Sequence, residues 1–215
     1  MEIEEKINTV TESDFKTPFI IVLATGVVAG VVGGIISSSK INYIWPEAIP
    51  FGQYWGVIMI FGSLIGGIIG AVVAWLLLYG FVHLLSSFIG GHGDSKRIFK
   101  VGGYIFLILL IGNVFSAVAI PFMPETTIDL SGIEEEKAPD LGEIMEPMKE
   151  YQRSQGYLLH VIILAFFRVI AMMITVLAVE ELYGLPRARA AVACGIPYIV
   201  YILYPVLTMA ITLSL

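Results

Sequence analysis

Arg168 is the residue whose chemistry most constrains this chain. It stands about 11 residues into an apolar run that starts near residue 157, which is ~16 Å along a helix at 1.5 Å per residue. A guanidinium that deep in hydrocarbon costs at least ~2.5–3.5 kcal/mol, so it must face protein or water and find a partner. Asn113 and Tyr201 reach a similar depth in two other apolar runs. Pro205 has no N–H, so the Tyr201 carbonyl loses its helical donor, and arginine carries five N–H groups. These positions predict a mid-membrane polar layer in which Arg168 meets Asn113 and the Tyr201 carbonyl. His160 lies two turns away, roughly on the same face. No Asp or Glu falls within the core of any run, so Arg168 has no carboxylate at its own depth. Such a layer is either a clamp between helices or a site for an anionic group on a polar pathway, with Tyr198 and Tyr204 extending it.

Other candidate chemistry is weaker. Gly91-His92-Gly93-Asp94 contains the G-x-G-D string of aspartyl intramembrane proteases, but that chemistry needs two facing carboxylates. Asp14, Asp129 and Asp140 all lie outside the apolar cores. His83, His92 and His160 sit at different depths and no spacing suggests a zinc site. The acidic stretch Glu134-Glu135-Glu136, Asp140, Glu143, Glu146 and Glu150 would attract calcium only loosely and lacks an EF-hand pattern. Cys194 is the sole cysteine, so no disulfide forms within the chain. We therefore expect no enzyme activity, no cofactor and no metal. The net charge of −6 argues against a nucleic-acid partner.

Five apolar runs position these residues, near 18–38, 54–89, 101–120, 157–179 and 190–213. Each has about the ~20 residues that cross a bilayer as a helix. Lipid offers the backbone no hydrogen-bond partner, so the runs should be helices, and no ~10-residue alternating segments suggest a barrel. The chain is 57% apolar and 14% charged, against roughly 25% charged in soluble domains. The expected fold is all-α, a bundle of five transmembrane helices over 18–215 behind a short segment 1–17. That segment is acidic and unlike a secretory signal, so the first run should be retained. Thr17-Pro18 reads as a helix start, and Gly90-Gly91-His92-Gly93 and Gly184 with Pro186 as helix ends.

Basic residues set an expected orientation. Lys6, Lys16, Lys96, Arg97, Lys100, Arg187 and Arg189 fall on one side if the spans alternate. The positive-inside rule then puts the N-terminus in the cytoplasm, and the C-terminus and the acidic loop 121–153 outside. Tyr43, Trp45, Phe51, Tyr54 and Trp55 cluster as an outer aromatic belt. Twenty residues on, Trp75 should mark the inner interface, yet the run continues to Ile89. The second helix must therefore tilt, or bend at Gly80 and lie in the interface. Leu141, Ile144, Met145 and Met148 form a short apolar stripe in the acidic loop, interrupted by Pro147.

Small residues recur at four-residue spacing. Gly26, Gly30 and Gly34 in the first run and Gly62, Gly66 and Gly70 in the second predict close packing of the two helices, or a dimer face. Glu180 and Glu181 end the fourth run, where the helix dipole disfavours acids. They should draw Lys96, Arg97, Arg187 and Arg189 into one cytoplasmic charge cluster, serving as an internal latch or a docking surface.

Two segments carry a family likeness. "FVHLLSSFIGGHGDSKRIFKVGGY" and "YGLPRARAAVACGIP" resemble the Yip1-domain family, over about residues 55–105 and 175–200. The matching positions are Gly90, Gly91, Gly93, Gly103, Tyr104, Gly184, Arg189 and Ala190. The run after Tyr104 lacks the proline many members carry, and the short N-terminal segment is more like a prokaryotic relative. The likeness implies a non-enzymatic multi-pass protein, of the cell membrane if prokaryotic. By analogy with eukaryotic members it implies small-GTPase partners and trafficking. The expected function is a membrane adaptor or organiser, with membrane lipid, a second copy or another membrane protein as partner. The alternative is a small transporter, channel or lipid-moving protein built on Arg168.

Overall fold

The computed structural model describes residues 14–45, 54–131 and 141–214, with side chains 141–145 excepted. In chain order the elements are α1 (Lys16–Ser39), β1 (Ile41–Ile44), α2 (Trp55–Phe88), α3 (Ser95–Ser116), a 3-10 turn (Ala117–Phe122), β2 (Thr126–Asp129), α4 (Leu141–Arg153), α5 (Gln155–Tyr183) and α6 (Arg187–Ser214). Five of these helices are long and apolar enough to cross a membrane. They match the five runs, with polar turns added at most ends. α1 begins at Lys16, ahead of the expected Thr17 cap, and Phe15 supplies no side-chain cap. Pro18 is tolerated in that first turn because its missing N–H would have no helical partner there.

Consecutive spans alternate, so the turns at 90–94 and 184–186 and the start of α1 share one end of the bundle. The two strands and α4 share the other. We refer to the turn end and the sheet end. α1 packs on α2 and α3, α3 on α5, α5 on α6, and α6 back on α2.

The core of this ring is not centred. In α2 every buried residue lies from Trp75 onward: Trp75, Leu78, Tyr79, Val82 and Ser86. α6 has none beyond Tyr198, and α5 has only Gly156 before Ala171. These join Val22, Ile98, Val101, Ile105, Phe106, Leu109 and Tyr183 in one cluster at the turn end. α2 runs unbroken through Gly80 for 34 residues, ~50 Å at 1.5 Å per residue. Its last third is core, not a separate interfacial segment. Trp75 is likewise buried, and its indole N–H donates to the Phe99 carbonyl at 3.1 Å.

The sheet end departs from a purely helical reading. β1 and β2 pair in parallel, with Ile41 opposite Thr126 and Ile44 opposite Asp129. Each strand follows a helix that exits at the same end, which is compatible with the parallel pairing observed. Four-residue strands whose partner lies far along the chain leave little periodic signal. Tyr43, Trp45 and Trp55 do gather there, with Trp45 and Trp55 ring centroids 4.7 Å apart. Phe51 lies outside the described residues. α4 continues through Pro147. Its Tyr151 is buried against Ala119 and Met123, donating to the Met123 sulfur at 3.1 Å.

Candidate functional site

Arg168 lies midway along α5, half-buried. Its Nη1 donates to the Tyr201 carbonyl at 3.0 Å, and its guanidinium carbon lies 4.4 Å from the centroid of the Tyr201 ring. The acceptor is the carbonyl whose helical donor Pro205 removes. The wider polar layer does not assemble. Asn113 turns back on its own helix and donates to the Leu109 carbonyl at 2.9 Å. His160 Nδ1 lies 3.4 Å from the Ser116 carbonyl, facing α3. Eight residues separate His160 from Arg168, which is about 80° of helical rotation at 3.6 residues per turn. The three side chains therefore serve different faces.

A more deeply buried polar set lies one step toward the turn end. Tyr79, Thr175 and Tyr198, from α2, α5 and α6, are fully buried. Thr175 Oγ1 donates to the Ala171 carbonyl at 2.8 Å. The Tyr198 hydroxyl is 2.8 Å from Thr175 Oγ1, and the Tyr79 hydroxyl 3.0 Å from that of Tyr198. The carbonyl can only accept, so one direction uses all three protons: Tyr79 to Tyr198 to Thr175 to Ala171. The chain is fully satisfied, as burial demands. Sequence reasoning placed Tyr198 in a tyrosine stripe but missed Tyr79 and Thr175. Single hydroxyls in apolar runs carry no periodic signal.

At the turn end, side-chain shape rather than charge joins the two loops. A Cβ on Gly93 would lie 2.6 Å from the Tyr183 ring, and one on Gly91 2.9 Å from the Tyr183 Cβ. The His92 N–H donates to the Tyr183 carbonyl at 3.2 Å, and the Tyr183 hydroxyl meets His83 Nδ1 at 2.6 Å. Gly90 and Gly184 have φ of 95° and 62°, where a side chain would be strained. Asp94 is an ordinary N-cap, its carboxylate accepting from the Lys96 N–H at 2.9 Å.

The expected charge cluster reduces to one pair. Arg187 Nε lies 2.9 Å from Glu180 Oε2, with side chains 70% and 33% exposed. Such a pair contributes ~0–1 kcal/mol. Among the described residues Lys96, Arg97, Glu181 and Arg189 form no ion pair and are exposed.

The glycine stripes also divide. A Cβ on Gly26 would lie 2.6 Å from the Ile68 Cα, and one on Gly30 2.6 Å from the Leu64 Cα. Gly34 faces Ile60 at 3.4 Å. The glycine that α2 brings to this seam is Gly67, whose Cβ would lie 2.5 Å from the Gly26 carbonyl. A Cβ on Gly62, Gly66 or Gly70 would meet nothing within 4 Å, so these three face away from the seam. Four-residue spacing identifies a stripe but not its direction, and Gly67 is one residue, or ~100°, off that stripe.

Among the described residues no group of three His, Cys, Asp or Glu is arranged to hold a metal. No solved structure gives a significant match. The chain is similar to an uncharacterized protein of Methanocaldococcus jannaschii, 34% identical over 116 residues, which are 53% of this chain and 78% of that protein. The Yip1 domain model matches residues 3–209. That match takes in four spans whole and the fifth up to residue 209, with both glycine-lined turns and the Tyr183 clasp, and the chain belongs to the Yip1 domain family as an integral multi-pass membrane protein.

Proposed function

We propose that this protein is a non-catalytic membrane organiser that docks a partner on its turn end, which faces the cytoplasm. The observation that supports this is the clasp of Gly91 and Gly93 on Tyr183, which holds two loops in one arrangement. Beside it, Lys96, Arg97 and Arg189 are exposed without ion pairs among the described residues. A fixed basic surface suits an acidic partner, because complementary charge speeds encounter and selects orientation. The triple variant Lys96→Glu, Arg97→Glu, Arg189→Glu should lose the partners crosslinked from native membrane by wild type. An unchanged set of crosslinked partners removes this reading.

A second reading has one observation in its favour: the Arg168 guanidinium is half-buried and bonded to a single carbonyl. In this reading the protein binds or moves an anionic molecule at mid-span. A flux or lipid-movement assay in vesicles, comparing wild type with Arg168→Leu, tests it, and equal rates remove it.

A further inference from the structure

We propose that Arg168 binds the phosphate of a membrane phospholipid at the seam between α5 and α6, from the leaflet at the sheet end. The proposal rests on the anion-site part of the second reading and does not require that the lipid be moved.

The first argument is charge. Of five guanidinium N–H groups, the described residues take one, at the Tyr201 carbonyl, and the Tyr201 ring covers the cation from 4.4 Å. A carbonyl dipole and an aromatic quadrupole orient a cation without cancelling its charge. α1, α2, α3 and α6 contain no Asp or Glu. The acids of α5 are Glu180 and Glu181, twelve or more residues further on, ~18 Å away along the helix. Among the described residues no span therefore places a carboxylate on Arg168, which leaves the guanidinium open to an anion from outside the chain.

The second argument is access. α5 has no buried residue between Gly156 and Ala171, and α6 none beyond Tyr198 among its described residues. Arg168 is itself half-buried between α5 and α6 beside half-buried Leu164 and Ala165, and Tyr204, one turn from Tyr201, is 65% exposed on α6. A lipid satisfies both demands at once, with acyl chains on that open surface and phosphate on the guanidinium. A soluble anion would leave that surface uncovered.

The third argument is direction. Side chains on a helix lean toward its N-terminus, which for α5 is the sheet end. Thirteen residues separate Arg168 from Gln155, ~20 Å along the axis. The flexible arm shortens that depth by reaching toward the sheet-end headgroups. A phosphodiester presents two non-bridging oxygens that suit the planar guanidinium fork.

The test is native mass spectrometry of purified, delipidated protein to which defined lipids are returned. Wild type should retain phosphatidylglycerol and should not retain diacylglycerol, which lacks the phosphate. Arg168→Leu should weaken retention about tenfold or more, as expected for losing a charge-assisted hydrogen bond. Arg168→Lys should fall between the two, and Lys16→Leu, the same charge change at the turn end, should bind as wild type. Arg168→Leu leaves the Tyr201 carbonyl without its donor, so its thermal midpoint should fall modestly, and retention is compared at a temperature where both proteins are folded. Should that variant fail to fold, Arg168→Lys against Lys16→Leu decides the question. Equal retention by wild type and the Arg168 variants overturns the proposal. So does stabilisation by inorganic phosphate alone, or a crosslink from position 168 to an acidic helix of another protein. Retention without lipid movement leaves the site standing and removes the transport reading.

Discussion

The two ends of this bundle are held together by different means. At the turn end all five spans contribute buried side chains, and a satisfied hydroxyl chain links α2, α5 and α6. At the sheet end α2 is held to α1 by glycine-to-backbone contact, while α5 and α6 present open apolar flanks. Burial is shared by all five spans at one end, and at the other is divided between the α1–α2 seam and a small cluster of Ala119, Met123 and Tyr151. Arg168 sits where the first regime gives way to the second, at the depth where the ring stops being closed by side chains. At the closed end the hydroxyls of Tyr79, Tyr198 and Thr175 satisfy one another. At the open end Arg168 looks to lipid or to a partner.

This contrast can be broken most directly at the α1–α2 seam. Gly67→Leu forces a side chain into the backbone of α1 and should cost roughly 3 kcal/mol, typical of severe overpacking. Gly66→Leu, one residue away on the open face, should stay within about 0.5 kcal/mol. Thermal midpoints in detergent measure both, and similar losses would mean that the open face is packed after all. At the closed end, Tyr198→Phe removes the two short bonds to Tyr79 and Thr175 and leaves only the 3.4 Å contact between their hydroxyls. It should destabilise by about 1–3 kcal/mol, the cost of leaving a buried polar group unpaired. The loss should appear as faster hydrogen exchange in α2 and α6 beyond Trp75, and unchanged exchange there would deny the hydroxyl chain its clamping role.

The smallest effect belongs to the sheet end. Burial pushes the Tyr151 phenol up to about 12, from an ordinary value near 10. The folded state therefore favours the neutral phenol. Its contribution to stability is complete below pH ~10 and is lost as pH rises toward 12. Ultraviolet titration of wild type against Tyr151→Phe should show one tyrosine ionising late in that window. If the difference spectrum titrates near 10, the contact with Met123 does not persist in solution.

Much of the scaffold was legible in the sequence, because it depends on local properties. Run lengths predicted five helices, and the Gly90–Gly93 and Gly184–Pro186 signals placed their ends at the turn end. Arg168 and the Tyr201 carbonyl could be matched because Pro205 marks the freed acceptor within its own helix. Relations across helices were less accessible. Asn113 and His160 share a depth range with Arg168 yet turn to other partners, since depth fixes one coordinate and helical rotation is set by packing. Gly62, Gly66 and Gly70 misled for the same reason, and Tyr79 and Thr175 went unseen.

By itself, then, the sequence determined that this is a five-span membrane protein of one family with a lone arginine at mid-depth. Hydrophobic length and residue type are carried one position at a time. Only the tertiary structure decided that Gly67 makes the seam, that Tyr183 clasps the loops, that β1 and β2 pair, and that the core closes at one end. Each depends on how one helix is rotated and displaced against another, and close packing between residues far apart in the chain selects that arrangement.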